Sequence, residues 1–256
     1  MRPLTISPIN AFSDNYIWLI SKGSEAFVVD PGDADPVLTV LSQSQLKLSG
    51  ILITHHHFDH TGGVAQLQTA TGCETWGPID SPAGIYDNTL QEGDLLSVLG
   101  ANFSVLEVPG HTLDHIAFYS ESEEAIFCGD TLFVGGCGRV FEGNPPQMRS
   151  SLEKLRCLPP QTRIFCAHEY TLANLRFAQQ VEPDNKRLEV FLGECEEKRR
   201  DNVPTVPSLL GDECEYNPFL RWDSSSVQAT LKQLGRLQDN SHDAVFTAVR
   251  EWKNQA

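Results

Sequence analysis

The run Thr54-His55-His56-His57-Phe58-Asp59-His60 puts four histidines and a carboxylate within seven residues, directly after the apolar segment Ile51-Leu52-Ile53. Three further segments repeat the design: an apolar, strand-like run, a small residue, then a potential ligand. They are residues 103–108 leading to Pro109-Gly110-His111, residues 125–128 leading to Gly129-Asp130, and residues 163–166 leading to Ala167-His168. Each is rich in β-branched and aromatic residues, which suit a pleated, half-buried surface. A chain whose strands repeatedly end on His or Asp gathers those side chains at one edge, on loops held by rigid strands beneath.

Imidazole and carboxylate are ligand types that first-row divalent metals take, so the edge reads as a metal site. On an extended segment alternate side chains share a side, which sends His55, His57 and Asp59 one way and leaves His60 out of phase, suited to a second ion. The donors are His55, His57, Asp59, His60, His111, Asp130 and His168. Seven exceed the needs of one tetrahedral ion and match two ions about 3.5–4 Å apart that share a bridging carboxylate and hydroxide. The expected division gives His55, His57 and His111 to the first ion and Asp59, His60 and His168 to the second, with Asp130 bridging. Zinc is the expected metal at both positions, and iron and manganese accept the same donors. His56 is expected to point away from the ions, His115 to orient or pack, and Cys128 to fill a strand core as a small hydrophobe.

These motifs resemble the metallo-β-lactamase superfamily, whose signature is a His-x-His-x-Asp-His run followed by a distant His, Asp and His. Within it the chain is similar, over nearly its whole length, to the glyoxalase II family of hydroxyacylglutathione hydrolases. The stretches that carry the likeness are Phe12-Ser13-Asp14-Asn15-Tyr16, Val29-Asp30-Pro31-Gly32-Asp33, Cys128-Gly129-Asp130-Thr131-Leu132-Phe133, Gly135-Gly136-Cys137-Gly138-Arg139, His168-Glu169-Tyr170-Thr171 and Asn217-Pro218-Phe219-Leu220-Arg221. The resemblance implies an αββα four-layer sandwich with an added C-terminal helical domain, divided as 1–170 and 171–256. It implies hydrolysis of S-2-hydroxyacylglutathione thioesters, with S-D-lactoylglutathione giving D-lactate and glutathione, by a hydroxide bridging two metals, with Asp59 and Asp130 in the catalytic centre. This reaction is the second step of methylglyoxal detoxification. It also assigns Arg139, Phe141, Tyr170, Arg250 and Lys253 to the glutathione moiety. Phe141 stands where many members have a second tyrosine, so a ring remains there without its hydroxyl. Asp114 stands where the family usually has Gly, a change that a left-handed backbone would tolerate at modest cost.

The formal net charge of -15 argues against nucleic acid or anionic membrane as a partner, since both need cationic surfaces. Glutathione carries two carboxylates, so local cations are required. Arg250 and Lys253 lie three apart on the last expected helix and share a face. No stretch approaches about 20 apolar residues, and Met1 to Phe12 carry one cation without a sustained apolar core, which predicts a cytoplasmic protein. Seven cysteines without a Cys-x-x-Cys pair point to reduced thiols. A monomer is expected.

Strands mix with short helices over the first ~170 residues, an α/β pattern. Met148, Leu152 and Leu155 give residues 147–158 one buried face. After His168 the periodicity becomes helical, over 172–181, 188–200, 227–237 and 243–253. Two alternatives share the motifs. A glutathione persulfide dioxygenase of the same fold would hold one iron through His55, His111 and Asp130, and the helical last third and the three cations argue against it. The other is a different metallo-β-lactamase-type hydrolase. A purely structural metal site is disfavoured because such sites are closed, usually single and often Cys-rich.

Overall fold

The computed structural model describes residues 4–256. Met1–Pro3, part of the stretch expected to lack a leader, lie outside the described residues. The chain divides into two compact units: one holds the residues up to Glu107 together with Asp114–Gly129, the other Val108–Leu113 and Asp130–Ala256. This division by packing is distinct from the functional one expected after residue 170.

In the first unit β1 (Thr5–Ala11), β2 (Asn15–Lys22) and β3 (Glu25–Val29) form an antiparallel meander. The chain then crosses through α1 (Ala34–Ser44) to β4 (Lys47–Leu52), which lies parallel to β3. A one-turn α2 (Phe58–Thr61) and α3 (Val64–Thr71) lead to β5 (Glu74–Pro78), followed by β6 (Asn88–Leu90), both parallel additions. Asp33 caps α1 by accepting the Asp35 N–H at 3.0 Å. Ile17 and Leu19 of β2 join Val37, Leu41, Val64 and Leu67 in one apolar cluster. Tyr16, Trp18 and Ile20 are buried on the opposite face of the same strand, so this sheet is covered on both sides. Strands β7 (Leu95–Val98), β8 (Ala101–Glu107), β9 (Ile116–Ser120) and β10 (Ala125–Gly129) make antiparallel neighbours of a second sheet. The expected runs at 103–108 and 125–128 are β8 and β10, and Cys128 is fully buried in β10.

The second unit opens with the hairpin β11 (Leu132–Phe133) and β12 (Gly136–Cys137), then α4 (Pro145–Arg156) and β13 (Arg163–Cys166). Helix α4 begins two residues before the periodicity suggests, because Asn144 caps it by accepting the Gln147 N–H and Pro145 starts the first turn, where no N–H is needed. Its Met148, Leu152 and Leu155 are wholly buried. Next come α5 (Thr171–Val181), α6 (Lys186–Arg200), the two-residue β14 (Ser208–Leu209) on β13, α7 (Leu210–Tyr216), α8 (Ser225–Gln233) and α9 (His242–Gln255). Helix α8 ends earlier than expected, just before Gly235 with φ +65°. Phe177, Phe219, Trp222 and Phe246 pack edge to face or stacked in the core of this helical part.

One buried carboxylate fastens the hairpin. Glu213 of α7 is fully buried and accepts the Gly135 N–H at 2.9 Å, the Asn217 amide at 2.9 Å and the Tyr216 hydroxyl at 3.1 Å. Asn217 also donates to the carbonyls of Phe133 and Gly136. Burial outweighs these bonds and pushes the Glu213 carboxyl up to about 7. A carboxyl raised in the folded state supports folding below its unfolded pKa and loses that support as pH rises through the folded one. We expect the melting temperature, at fixed metal loading, to fall more steeply from pH 5.5 to 8 in the wild type than in Glu213→Gln. Parallel curves would assign the pH dependence to other groups.

Candidate metal centre

In the first unit the ligand run leaves β4 and is gripped by Asp30, at the end of β3. Asp30 is 4% exposed and sits at φ +56°, a left-handed conformation that Asp tolerates better than most residues. Its carboxylate accepts the Thr54 N–H at 2.8 Å, the Thr54 hydroxyl at 2.7 Å and His60 Nδ1–H at 3.1 Å. Thr54 Oγ1 has given its proton to Asp30, so it accepts from His55 Nδ1 at 3.1 Å. His55 and His60 are thereby fixed in the tautomer whose Nε2 carries the lone pair. His55 Nε2 faces His57 Nδ1 at 3.2 Å, and His60 Nε2 faces Asp59 Oδ2 at 3.5 Å. The Asn15 amide donates to the same Asp59 oxygen at 2.9 Å. His115 is buried and stacks on His55 at 4.5 Å, a packing role as expected.

Two expectations need correction here. Alternation along an extended segment holds only as far as His57, because the chain turns into α2 at Phe58 and carries Asp59 and His60 on a helical turn. Asp114 does not fall among the positive-φ residues described, so the anticipated backbone cost does not arise. Its carboxylate instead takes His56 Nδ1 at 2.9 Å, which turns that ring aside as foreseen.

The second unit supplies His111, Asp130 and His168. His111 Nδ1 donates to the Arg139 carbonyl at 2.7 Å, which again leaves the lone pair on Nε2. That nitrogen is 3.4 Å from Asp130 Oδ2, while Asp130 Oδ1 is 3.3 Å from His168 Nε2. One carboxylate thus offers an oxygen to each imidazole. Gly138 makes the arrangement possible, since a Cβ there would lie 1.9 Å from the Asp130 carbonyl oxygen. In both units lone pairs converge where hydrogen bonding alone would place donors against acceptors, and a divalent cation resolves that convergence.

His111 and Asp130 also line a cavity of about 460 Å³ with Arg139, Phe141, Tyr170, Asn174, Arg250 and Lys253. Tyr170 stacks on His168 at 4.7 Å. Arg139 is exposed, and Phe141 is mostly so. Lys253 donates to the Ala173 carbonyl at 3.2 Å, and burial, then the neighbouring Arg250 charge, hold its ammonium below the usual lysine range. The cavity therefore combines metal donors with cations suited to carboxylates.

Asp30, Thr54 and Asn15 went unassigned in the sequence. Asp30 and Asn15 stand in polar breaks between apolar strands, a position that could have marked them as partners of the ligand run.

The fold is that of the metallo-beta-lactamase superfamily, whose family model matches residues 12–168. The fold is its αββα type, extended by a helical C-terminal segment. ETHE1 from Myxococcus xanthus superposes with a TM-score of 0.66 at 23% identity, covering 98% of each chain. TTHA1623, solved in a di-iron-bound form, has 31% identity and a TM-score of 0.53, covering 66% of this chain and 92% of its own. Residues 169–256 match the model described as hydroxyacylglutathione hydrolase C-terminus. A hydroxyacylglutathione hydrolase from Chromohalobacter salexigens is 48% identical over 255 residues, covering 98% of this chain and 99% of the relative. The chain belongs to the hydroxyacylglutathione hydrolase family. Superfamily and donor clusters together imply divalent metal ions. No helix among the described residues is long and apolar enough to cross a membrane.

Asp30→Ala leaves the Thr54 N–H and His60 Nδ1–H unmet, each at a cost of roughly 1–3 kcal/mol. Urea denaturation of the metal-free variant should show a loss in that range or above. An unchanged midpoint would mean that Asp30 does not organise the run.

Proposed function

We infer that the chain hydrolyses S-2-hydroxyacylglutathione thioesters, with S-D-lactoylglutathione as substrate and D-lactate and glutathione as products. The observation that carries this is one cavity in the second unit that joins two metal donors, His111 and Asp130, to Arg139, Arg250 and Lys253. Membership of the hydroxyacylglutathione hydrolase family supports it.

The seven donors are proposed to serve one binuclear centre: His55, His57 and His111 for one ion, Asp59, His60 and His168 for the other, Asp130 between them. Support comes from Asp130, whose two oxygens face two different imidazoles, and from a relative solved in a di-iron-bound form. Zinc is proposed at both positions, with iron and manganese able to replace it. Bound there, the ions supply Lewis acidity and lower the pKa of water to near neutrality.

The chain's own residues do the rest. Asp59, steadied by Asn15, accepts the nucleophile's proton. Asp130 holds the spacing of the donors around it. Arg139, Lys253 and Arg250 draw the tripeptide carboxylates into the cavity, Tyr170 contributes a hydroxyl, and the Phe141 ring packs without one. A thiolate is a good leaving group, so no general acid is needed. Residues 1–170 are proposed to carry the chemistry and 171–256 the recognition of glutathione, and the two family models meet at 168/169. The proposed setting is a cytoplasmic monomer. Seven free cysteines suit a reducing compartment.

Hydrolysis of S-D-lactoylglutathione by the metal-loaded protein tests the reaction. Lys253→Ala should raise KM about tenfold with kcat nearly unchanged, since the contact is equal in ground and transition states and partly exposed to solvent. A small thioester without the tripeptide should be cleaved equally by both proteins. Equal KM values for the glutathione thioester would remove Lys253 from the binding site.

A further inference from the structure

Arg250 does not stand in the cavity as a solvated cation. It is 4% exposed, and its Nη1 donates to the carbonyls of Cys137 at 3.0 Å and Gly138 at 3.3 Å. Its Nε donates to Asn254 Oδ1 at 3.2 Å, and the guanidinium lies over the Phe219 ring at 4.9 Å. Among the described residues Nη2 alone is left to meet a ligand.

The carbonyls that Arg250 grips belong to the two residues immediately before Arg139, whose own carbonyl fixes the His111 tautomer. The segment has no slack. The Gly138 N–H donates to the Thr131 carbonyl at 3.2 Å, and a Cβ on Gly138 would lie 1.9 Å from the Asp130 carbonyl and 3.2 Å from His111 Nδ1. A shift of Cys137–Gly138 by a few tenths of an ångström therefore moves the group that orients His111 and presses on the backbone of Asp130.

We propose that Arg250 is a positioning residue for the metal centre: from the last helix it holds the Cys137–Arg139 segment, and so the His111 and Asp130 donors, in the geometry that retains a divalent ion. This rests on the binuclear reading above. It makes the two cations of α9 unequal, since among the described residues the Lys253 hydrogen bond goes to the Ala173 carbonyl and not to that segment. It also gives one guanidinium two tasks, with Nη1 on the backbone and Nη2 free for a carboxylate. Lysine cannot take both tasks, because its single ammonium, one bond shorter, has no second nitrogen to reach a carboxylate while the first holds the two carbonyls.

The test follows the release of Zn(II) from the loaded protein to a chromophoric chelator, with melting temperature as the measure of folding. Partners that orient metal ligands are typically worth ~10- to 100-fold in metal affinity. Arg250→Ala should release one of the two ions toward the upper end of that range, and Arg250→Lys toward its lower end. Lys253→Ala should release zinc at the wild-type rate. Because Arg250→Ala could fail to fold, the Lys variant is decisive on its own. Zinc retention at the wild-type level in a folded Arg250→Lys, with only KM raised, would overturn the positioning role and leave Arg250 as a plain substrate contact. Parallel loss of both ions with a collapsed melting temperature in the Lys variant would overturn it too, in favour of a general fold-stabilising role. A wild type that binds no zinc would instead overturn the binuclear reading itself.

Discussion

The proposed metal centre depends first on where three histidines keep their protons. His55, His60 and His111 each have Nδ1 tied, to Thr54, Asp30 and the Arg139 carbonyl respectively, so each presents Nε2 as a lone pair. Without those ties an imidazole in a dry pocket would settle its proton on the side facing a carboxylate and form an ordinary hydrogen bond. Donor type, ring orientation and the chemistry available to a bound cation all follow from this choice. The outer partners are therefore as much part of the centre as the ligands.

Each unit orders its own donors by its own means. In the first, a single buried aspartate in a left-handed conformation at the end of one strand reaches the next strand's exit, so the sheet sets the loop directly. In the second, the donors at His111 and Asp130 border a short two-stranded hairpin and the Cys137–Arg139 segment. Helices supply the rigidity there: Glu213 and Asn217 hold the hairpin, and Arg250 holds the segment that follows. This links the helical part to the proposed metal donors as well as to the proposed recognition of the tripeptide.

The sequence made the ligand-bearing strands legible because β8, β10 and β13 are short apolar runs that stop at a small residue, and α5, α6, α8 and α9 because their apolar spacing is regular, whereas the seven-residue α7 was not anticipated. The His and Asp side chains that converge within each unit were also legible, as donors placed at strand ends. Geometry was less so. Period-two alternation misdescribed Asp59 and His60, because a four-residue helix leaves no periodic trace. The partners of Asp30 and the backbone contacts of Arg250 were opaque for a common reason: no local pattern records a partner 30 or 113 residues away.

The central claim is that the seven donors form one centre for two ions with Asp130 shared between them. Stepwise addition of Zn(II) to metal-free protein, with bound metal counted by elemental analysis and thioester hydrolysis followed in parallel, tests it most directly. The account predicts saturation at two ions per chain in the wild type, and a fall in both ions and in activity together in Asp130→Ala. Two tightly held ions and full activity in that variant, or saturation of the wild type at one ion, would contradict it.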